Sequence, residues 1–217
     1  MTPSARPNLL AGEDLPPEPN QKRSIEKRAR LKAAGLSLFR EKGYEGASIV
    51  EIASRAGLAV GGFYLHYRSK RQLLLALMDE LLDRLTRLDL GPQQWSEIRT
   101  GLRAFLARVF ATDLQFLGAY RAWQEAALSD ADLAGKQQQI QAWTTSRVAG
   151  FFTYLQRLPG ARPGVDVPVL ARTMDSFFWN LLAQAAQMHE VELNQWLDGA
   201  THLIYHALFL DAPRGEK

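Results

Sequence analysis

The alternation of apolar and polar positions is helical along almost the whole chain. Between Lys22 and Gly43, Ile25, Ala29, Ala33, Leu36 and Phe39 keep helical spacing; Gly43 then stops the run and Tyr44 is placed to pack back. From Ser69, the leucines at 73, 77, 81 and 85 step by four along a helix expected to reach about Leu88, with Gly91-Pro92 as its break. Between these helices the pattern shortens. Ile49, Ile52 and Ala53 make a brief apolar face that stops at Ala56-Gly57-Leu58, and a second short helix is expected from about Val60 to Tyr67. Phe63 and Tyr67, four apart, turn inward with Leu58, which leaves Val60, Gly61, Tyr64 and Leu65 on another face. Ser48 with Glu51, and Ser69 with Gln72, have the spacing of capping boxes. Gly57 offers the left-handed backbone needed to end one helix and turn into the next. The layout is that of a helix-turn-helix, whose second helix is available to a DNA major groove.

Beyond Pro92 the period stays helical. Trp95, Ile98, Leu102, Phe105 and Val109 form one stripe, and Leu114, Leu117, Tyr120, Arg121 and Trp123 belong to a helix ending near Leu128. Ser129 and Asp132 are candidate caps for a third helix running toward Leu158. Residues 159–168 read as a loop, with Asp166 as a cap for an apolar helix from Val169 to His189, and a last helix runs from Leu193 to about Phe209. Helices apolar over much of their circumference are buried in a core or a subunit interface. No stretch reads as a strand. The fold class expected is all-α, with a three-helix DNA-binding domain at 21–70 and a helical effector-binding and dimerisation domain at 71–217. Residues 1–20 hold five of the ten prolines and no periodicity, and are expected to be a disordered tail.

Charge sharpens this division. Residues 21–71 carry twelve Lys and Arg against four Asp and Glu, whereas the formal net charge of the whole chain is only +3. Positive charge coincides with the helix-turn-helix, as a phosphate-binding surface requires. The absence of cysteine excludes disulfides and thiolate chemistry. There is no N-terminal apolar run, and Ser176–Met188 is too short and too rich in Asn and Gln to span a bilayer, so a cytoplasmic protein is expected. His202 and His206 have a metal-compatible spacing but no third ligand, Asp130 and Asp132 read as helix-start charges, and no phosphate loop, GxSxG elbow or dinucleotide fingerprint is present. Neither a metal, a cofactor nor a catalytic constellation is expected.

The residues Ser48, Ile52-Ala53, Ala56-Gly57-Leu58, Phe63-Tyr64, His66-Tyr67 and Ser69-Lys70 follow one another at the spacing of a known pattern. From about Ile25 to Leu77 the chain resembles the TetR family of bacterial one-component repressors. It departs from that pattern at Ala59, where the family usually has Ser or Thr, losing a cap worth ~1 kcal/mol. The resemblance implies a homodimer on a palindromic duplex operator, paired through its last two helices, with an effector cavity in the second domain. It also implies phosphate contacts from Ser48, Tyr64, His66 and Lys70. Residue by residue, Val60, Gly61, Gly62, Tyr64 and Leu65 are the candidates for the groove, although none offers the Arg, Asn or Gln used for bidentate base reading. Lys22 and Arg23 form a basic arm. For the effector, Tyr120, Trp123, Trp143, Phe151 and Phe178, with the polar Asn180 and Gln184, come from separate helices that can converge. An apolar or amphipathic small molecule, such as one with an acyl chain, suits that lining; no carboxylate is placed there for a cation. An activator or ligand-independent regulator of the same fold stays open as an alternative, as does an all-helical enzyme.

Overall fold

The computed structural model describes residues 5–18, 20–88, 95, 97–185 and 188–210. Among them the chain forms nine helices: α1 (Lys22–Gly46), α2 (Ile49–Arg55), α3 (Val60–Tyr64), α4 (Lys70–Thr86), α5 (Ile98–Leu114), α6 (Leu117–Ala127), α7 (Ala131–Leu155), α8 (Val167–Ala185) and α9 (Glu190–Leu208). The extended pairing among the described residues is an isolated bridge between Ala161 and Phe209. No helix of the described residues is long and apolar enough to cross a membrane. The expected break at Gly91-Pro92 lies outside the described residues.

Local chemistry sets the helix limits. Gly43, at φ 73°, interrupts α1, and the aromatic ring of Tyr44 folds back to 6.0 Å from Phe39. The face that α1 buries is Leu31, Ala34, Gly35, Leu38 and Phe39; of the expected stripe only Phe39 is buried, Leu36 is half-buried, and Ile25, Ala29 and Ala33 are exposed. The cap of α7 is Asp130, which accepts from the amides of Asp132 and Leu133, in place of the expected Ser129 or Asp132. Asp166 accepts from the Val169 amide at the start of α8, as expected.

α4 is buried on most sides, through Leu73, Leu74, Leu75, Leu77, Met78, Leu81 and Leu82, and links the two halves of the molecule. The halves also meet directly along α1 and α6. Gly118 allows this approach: a Cβ there would lie 2.0 Å from the Leu36 carbonyl oxygen. Arg121 donates to the Arg40 carbonyl at 2.7 Å, and the Tyr44 amide donates to the Glu125 carboxylate at 2.6 Å, so both ends of the contact are tied.

The N-terminal segment departs from the expected disordered tail. Leu9 is completely buried in the common core, and its amide donates to Asp79 on α4 at 3.2 Å. Arg6 pairs with Asp79 at 2.8 Å, Asp14 with Arg68 at 3.0 Å, Glu13 with Arg71 and Glu18 with Arg28 at 3.3 Å. Prolines argue against a helix but not against an extended strap, and one buried leucine among complementary charges is enough to hold it.

Candidate nucleic-acid interface and effector cavity

At the helix-turn-helix, Ser48 and Glu51 form the capping box in full. The Glu51 amide donates to Ser48 Oγ at 3.2 Å, and the Ser48 amide donates back to the Glu51 carboxylate at 3.1 Å. A hydrogen bond from Lys42, together with those from Ser48, lowers the Glu51 carboxyl to about 2. Gly57, at φ 66°, makes the turn after α2. α3 is a single short turn from Val60 to Tyr64, shorter than expected, and Ala59 gives it no side-chain cap. Phe63 and Tyr67 are fully buried, with ring centroids 5.9 Å apart. They fix α3 so that Val60, Tyr64 and Leu65 face outward, with Leu65 72% exposed, and Gly61 opens onto free space. Gly62 sits over Leu58 instead of on that outer face.

The proposed phosphate contacts divide. Tyr64 is half exposed and edge-on to Phe63. Lys22 and Arg23 are exposed in the first turn of α1. Lys70, expected at a phosphate, instead turns its ammonium inward. It donates to the carbonyls of Tyr44 and Ala47, the latter at 3.0 Å, and lies 4.3 Å from the centre of the Tyr44 ring. Those carbonyls end α1 and have no helical partner, so a nearby ammonium satisfies them. His66 is buried, and burial followed by the charges of Arg28 and Lys27 holds its imidazole below the usual range, so it is neutral at pH 7. Ser48 spends its hydroxyl on Glu51 at 2.8 Å. Gln72 donates its amide to Ser69 Oγ, but its side-chain carbonyl receives the Arg68 amide, one residue earlier than a capping box requires.

The positive charge of this region is also partly spent. Arg28, Lys32, Lys42, Arg55, Arg68 and Arg71 are in ion pairs. Lys22, Arg23, Lys27 and Arg30 are exposed, and no ion pair is formed by them among the described residues. Arg30 reaches the α2–α3 turn, its Nη1 3.3 Å from where a Gly57 Cβ would stand. Lys27 and Arg30 are therefore additional basic groups near the motif; sequence gave their charge but not which way they project.

In the second half, helices α4 to α9 enclose a cavity of about 130 Å³. Tyr120, Trp143, Phe151 and Phe178 line it, as expected. Trp123 is fully buried elsewhere in the core. Asn180 and Gln184 lie on the exposed side of α8, with the Gln184 amide donating to Asn180 at 2.6 Å, so neither reaches the cavity. Arg121, on α6, points away from the cavity to the Arg40 carbonyl of α1. The expected absence of carboxylates is corrected: Asp113 of α5 and Asp175 of α8 both line the cavity. Tyr120 donates to Asp113 at 2.9 Å, and the hydroxyls of Thr144 and Thr145 donate to Asp175 at 3.0 and 2.7 Å. Burial raises the Asp113 carboxyl to about 7 and raises that of Asp175 as well. Arg147 also lines the cavity, stacked 5.1 Å from the Trp143 ring centre. Its guanidinium donates to the carbonyls of Leu85, in the last turn of α4, and Leu88, just beyond it, at 2.9 and 3.4 Å.

Residues 31–77, from α1 to α4, match the family described as bacterial regulatory proteins, tetR family. By sequence, this segment is a helix-turn-helix of the tetR-family type. Relatives include the uncharacterized HTH-type transcriptional regulator YerO of Bacillus subtilis, 45% identical over 24% of this chain and 18% of YerO. The HTH-type transcriptional regulator CymR of Pseudomonas putida is 38% identical over 30% of this chain and 32% of CymR. The aligned stretch thus spans a third or less of these relatives. The likeness of fold reaches further: a SmeT–triclosan complex superposes with a TM-score of 0.65 at 22% identity, covering 86% of this chain and 93% of that one.

Proposed function

We propose that the protein is a dimeric repressor that holds a palindromic duplex through α3 and is released from it by a small ligand in the α4–α9 cavity. The observation that carries DNA binding is the outer face of α3: Val60, Gly61, Tyr64 and Leu65 project outward while Phe63 and Tyr67 anchor the helix from behind. Val60 and Leu65 are suited to thymine methyl groups, and Lys22, Arg23, Lys27 and Arg30 supply charge for the backbone. One short helix reads few base pairs, so specificity calls for two copies related by a two-fold axis. Val169 on α8 and Val191, Trp196 and Leu203 on α9 are exposed apolar side chains, which supports pairing of these helices with their copies.

Two connections support release by a ligand. Tyr120 faces the cavity from α6, the helix that docks on α1 through Gly118, Arg121 and Glu125. Arg147 faces it from α7 and holds the end of α4. A ligand that prefers one arrangement of α1 and α4 shifts the separation of the two α3 helices; a tenfold loss of DNA affinity needs ~1.4 kcal/mol of coupling. The test is to recover bound duplexes from a random pool and measure their affinity against salt and protein concentration. A palindrome, a dimer by sedimentation and a steep salt dependence are expected. Failure to enrich any duplex would overturn the reading.

A further inference from the structure

Two buried acids in a small aromatic cavity need a physical account. A carboxylate without a cationic partner is costly in a low-dielectric site, and a merely structural position is better filled by an amide or an apolar group. Asp113 and Asp175 stand on different helices, 7% and 6% exposed, and both face the same space. Neither has a salt-bridge partner among the described residues, and no cationic side chain contributes to the environment of either. The hydroxyls of Tyr120, Thr144 and Thr145 orient them but bring no positive charge. Among the described residues Arg147 is the one basic residue lining the cavity, and its guanidinium is committed to the carbonyls at the end of α4. The remaining wall is aromatic and aliphatic, including Trp143, Phe178 and Trp179. Such rings attract a cation through their faces and pack an apolar body.

We propose that the cavity binds a small aryl-alkyl ammonium ion, its charged nitrogen taken by Asp113 and Asp175 and its ring held by the aromatic wall. The proposal rests on the reading of this cavity as the effector site and names the chemical class of the effector. A volume of about 130 Å³ suits a single ring with a short arm, and a longer body requires wall side chains to move. Asp113 gives the site a pH dependence. The titratable groups facing this site are Tyr120 from α6, Arg147 from α7 and Asp175 from α8. With its carboxyl raised to about 7 by burial, Asp113 is partly protonated at neutral pH and ionises to meet the cation.

The experiment titrates the full chain with phenethylamine, phenylethanol and phenylpropionate, near-isosteric probes that differ in charge, by calorimetry. Phenethylamine is expected to bind at least about tenfold more tightly than phenylethanol, equal to about 1.4 kcal/mol. Its affinity is expected to rise from about pH 6 to about pH 8, a range in which the amine itself stays protonated. Asp113→Asn should flatten that rise, Asp175→Asn should reduce the preference, and the double substitution should make amine and alcohol equal. Retained phenylethanol binding shows that a variant is folded; where it is lost, the pH profile of the unsubstituted protein decides. Equal affinity for amine and alcohol, a preference for phenylpropionate, or binding of none of the three overturns the proposal. Operator affinity, measured with each probe, separates the two readings. Selective amine binding that leaves operator affinity unchanged overturns the effector reading and keeps the cation site. Release by phenylpropionate alone does the reverse.

Discussion

The helix-turn-helix and the effector cavity use opposite constructions. In the first, contiguous residues build the element, and the candidate function lies in what packing leaves outside: Phe63 and Tyr67 are fully buried so that Val60, Tyr64 and Leu65 stand out. In the second, Asp113, Tyr120, Trp143, Arg147 and Asp175 come from four helices, and the candidate function lies in what packing leaves inside. A surface site tolerates changes in the side chains that form it, because they contribute little to folding. A cavity site cannot separate the two, because its polar groups are desolvated whether or not a ligand is present. The cavity is therefore where stability and function should trade against each other, and the outer face of α3 is where they should not.

The largest effect expected falls on the anchor of the surface site. Phe63→Ala should cost about 3–5 kcal/mol and abolish DNA binding by loosening α3, which chemical denaturation with parallel binding measurements will show. A loss of DNA binding at unchanged stability would mean that Phe63 contacts DNA itself and would erase the contrast.

The next effect belongs to Asp113. Burial raises its carboxyl from the ordinary value of 3.8 to about 7 in the folded protein, so the unfolded chain ionises first as pH rises. The folded state is therefore penalised progressively between about pH 4 and about pH 7, by up to about 4 kcal/mol, and the penalty is constant above that window. Asp113→Asn removes it, so its stability relative to the unsubstituted protein should improve from pH 4 to pH 8 in denaturation curves. A pH-independent difference would show that Asp113 is not held neutral by the cavity.

Lys70 sharpens the comparison from the other side, as a basic residue in the DNA-binding half with an internal role. Lys70→Ala should destabilise the domain by roughly 1.5–3 kcal/mol, by leaving the Tyr44 and Ala47 carbonyls without a charged donor, and should leave the salt dependence of DNA binding nearly unchanged. Arg30→Ala should do the opposite, with stability within about 0.5 kcal/mol and a log–log salt slope shallower by roughly one. The smallest stability effect is at Leu65, where alanine should change stability by less than about 0.5 kcal/mol yet alter the base preference recovered from a random duplex pool.

How much of this was legible depended on the range of the interactions. The capping box at Ser48, the turn at Gly57 and the inward pair Phe63 and Tyr67 involve residues within a few positions of each other, so their spacing carries the geometry. The positions of Lys70 and His66 in the motif were equally legible, but not the direction of their side chains, since that is set by carbonyls more than twenty residues away for Lys70 and by burial for His66. Leu9 shows the same limit: a single apolar residue in a proline-rich segment has no periodicity to reveal that α4 will cover it.

By itself the sequence determined the helical class, the helix-turn-helix and its outer face, because short-range periodicity, caps and one glycine specify them without reference to the rest of the chain. The tertiary structure alone decided which polar groups enter the cavity. Asn180 and Gln184 sit in an apolar helix and looked internal, yet they lie on the side of α8 that faces out. Nothing in the local pattern singles out Asp113 or Asp175, yet each is carried inward by the packing of its helix. A helix has one rotation about its axis, chosen by the sum of its apolar contacts, and a single polar residue is turned in or out as a consequence of that choice.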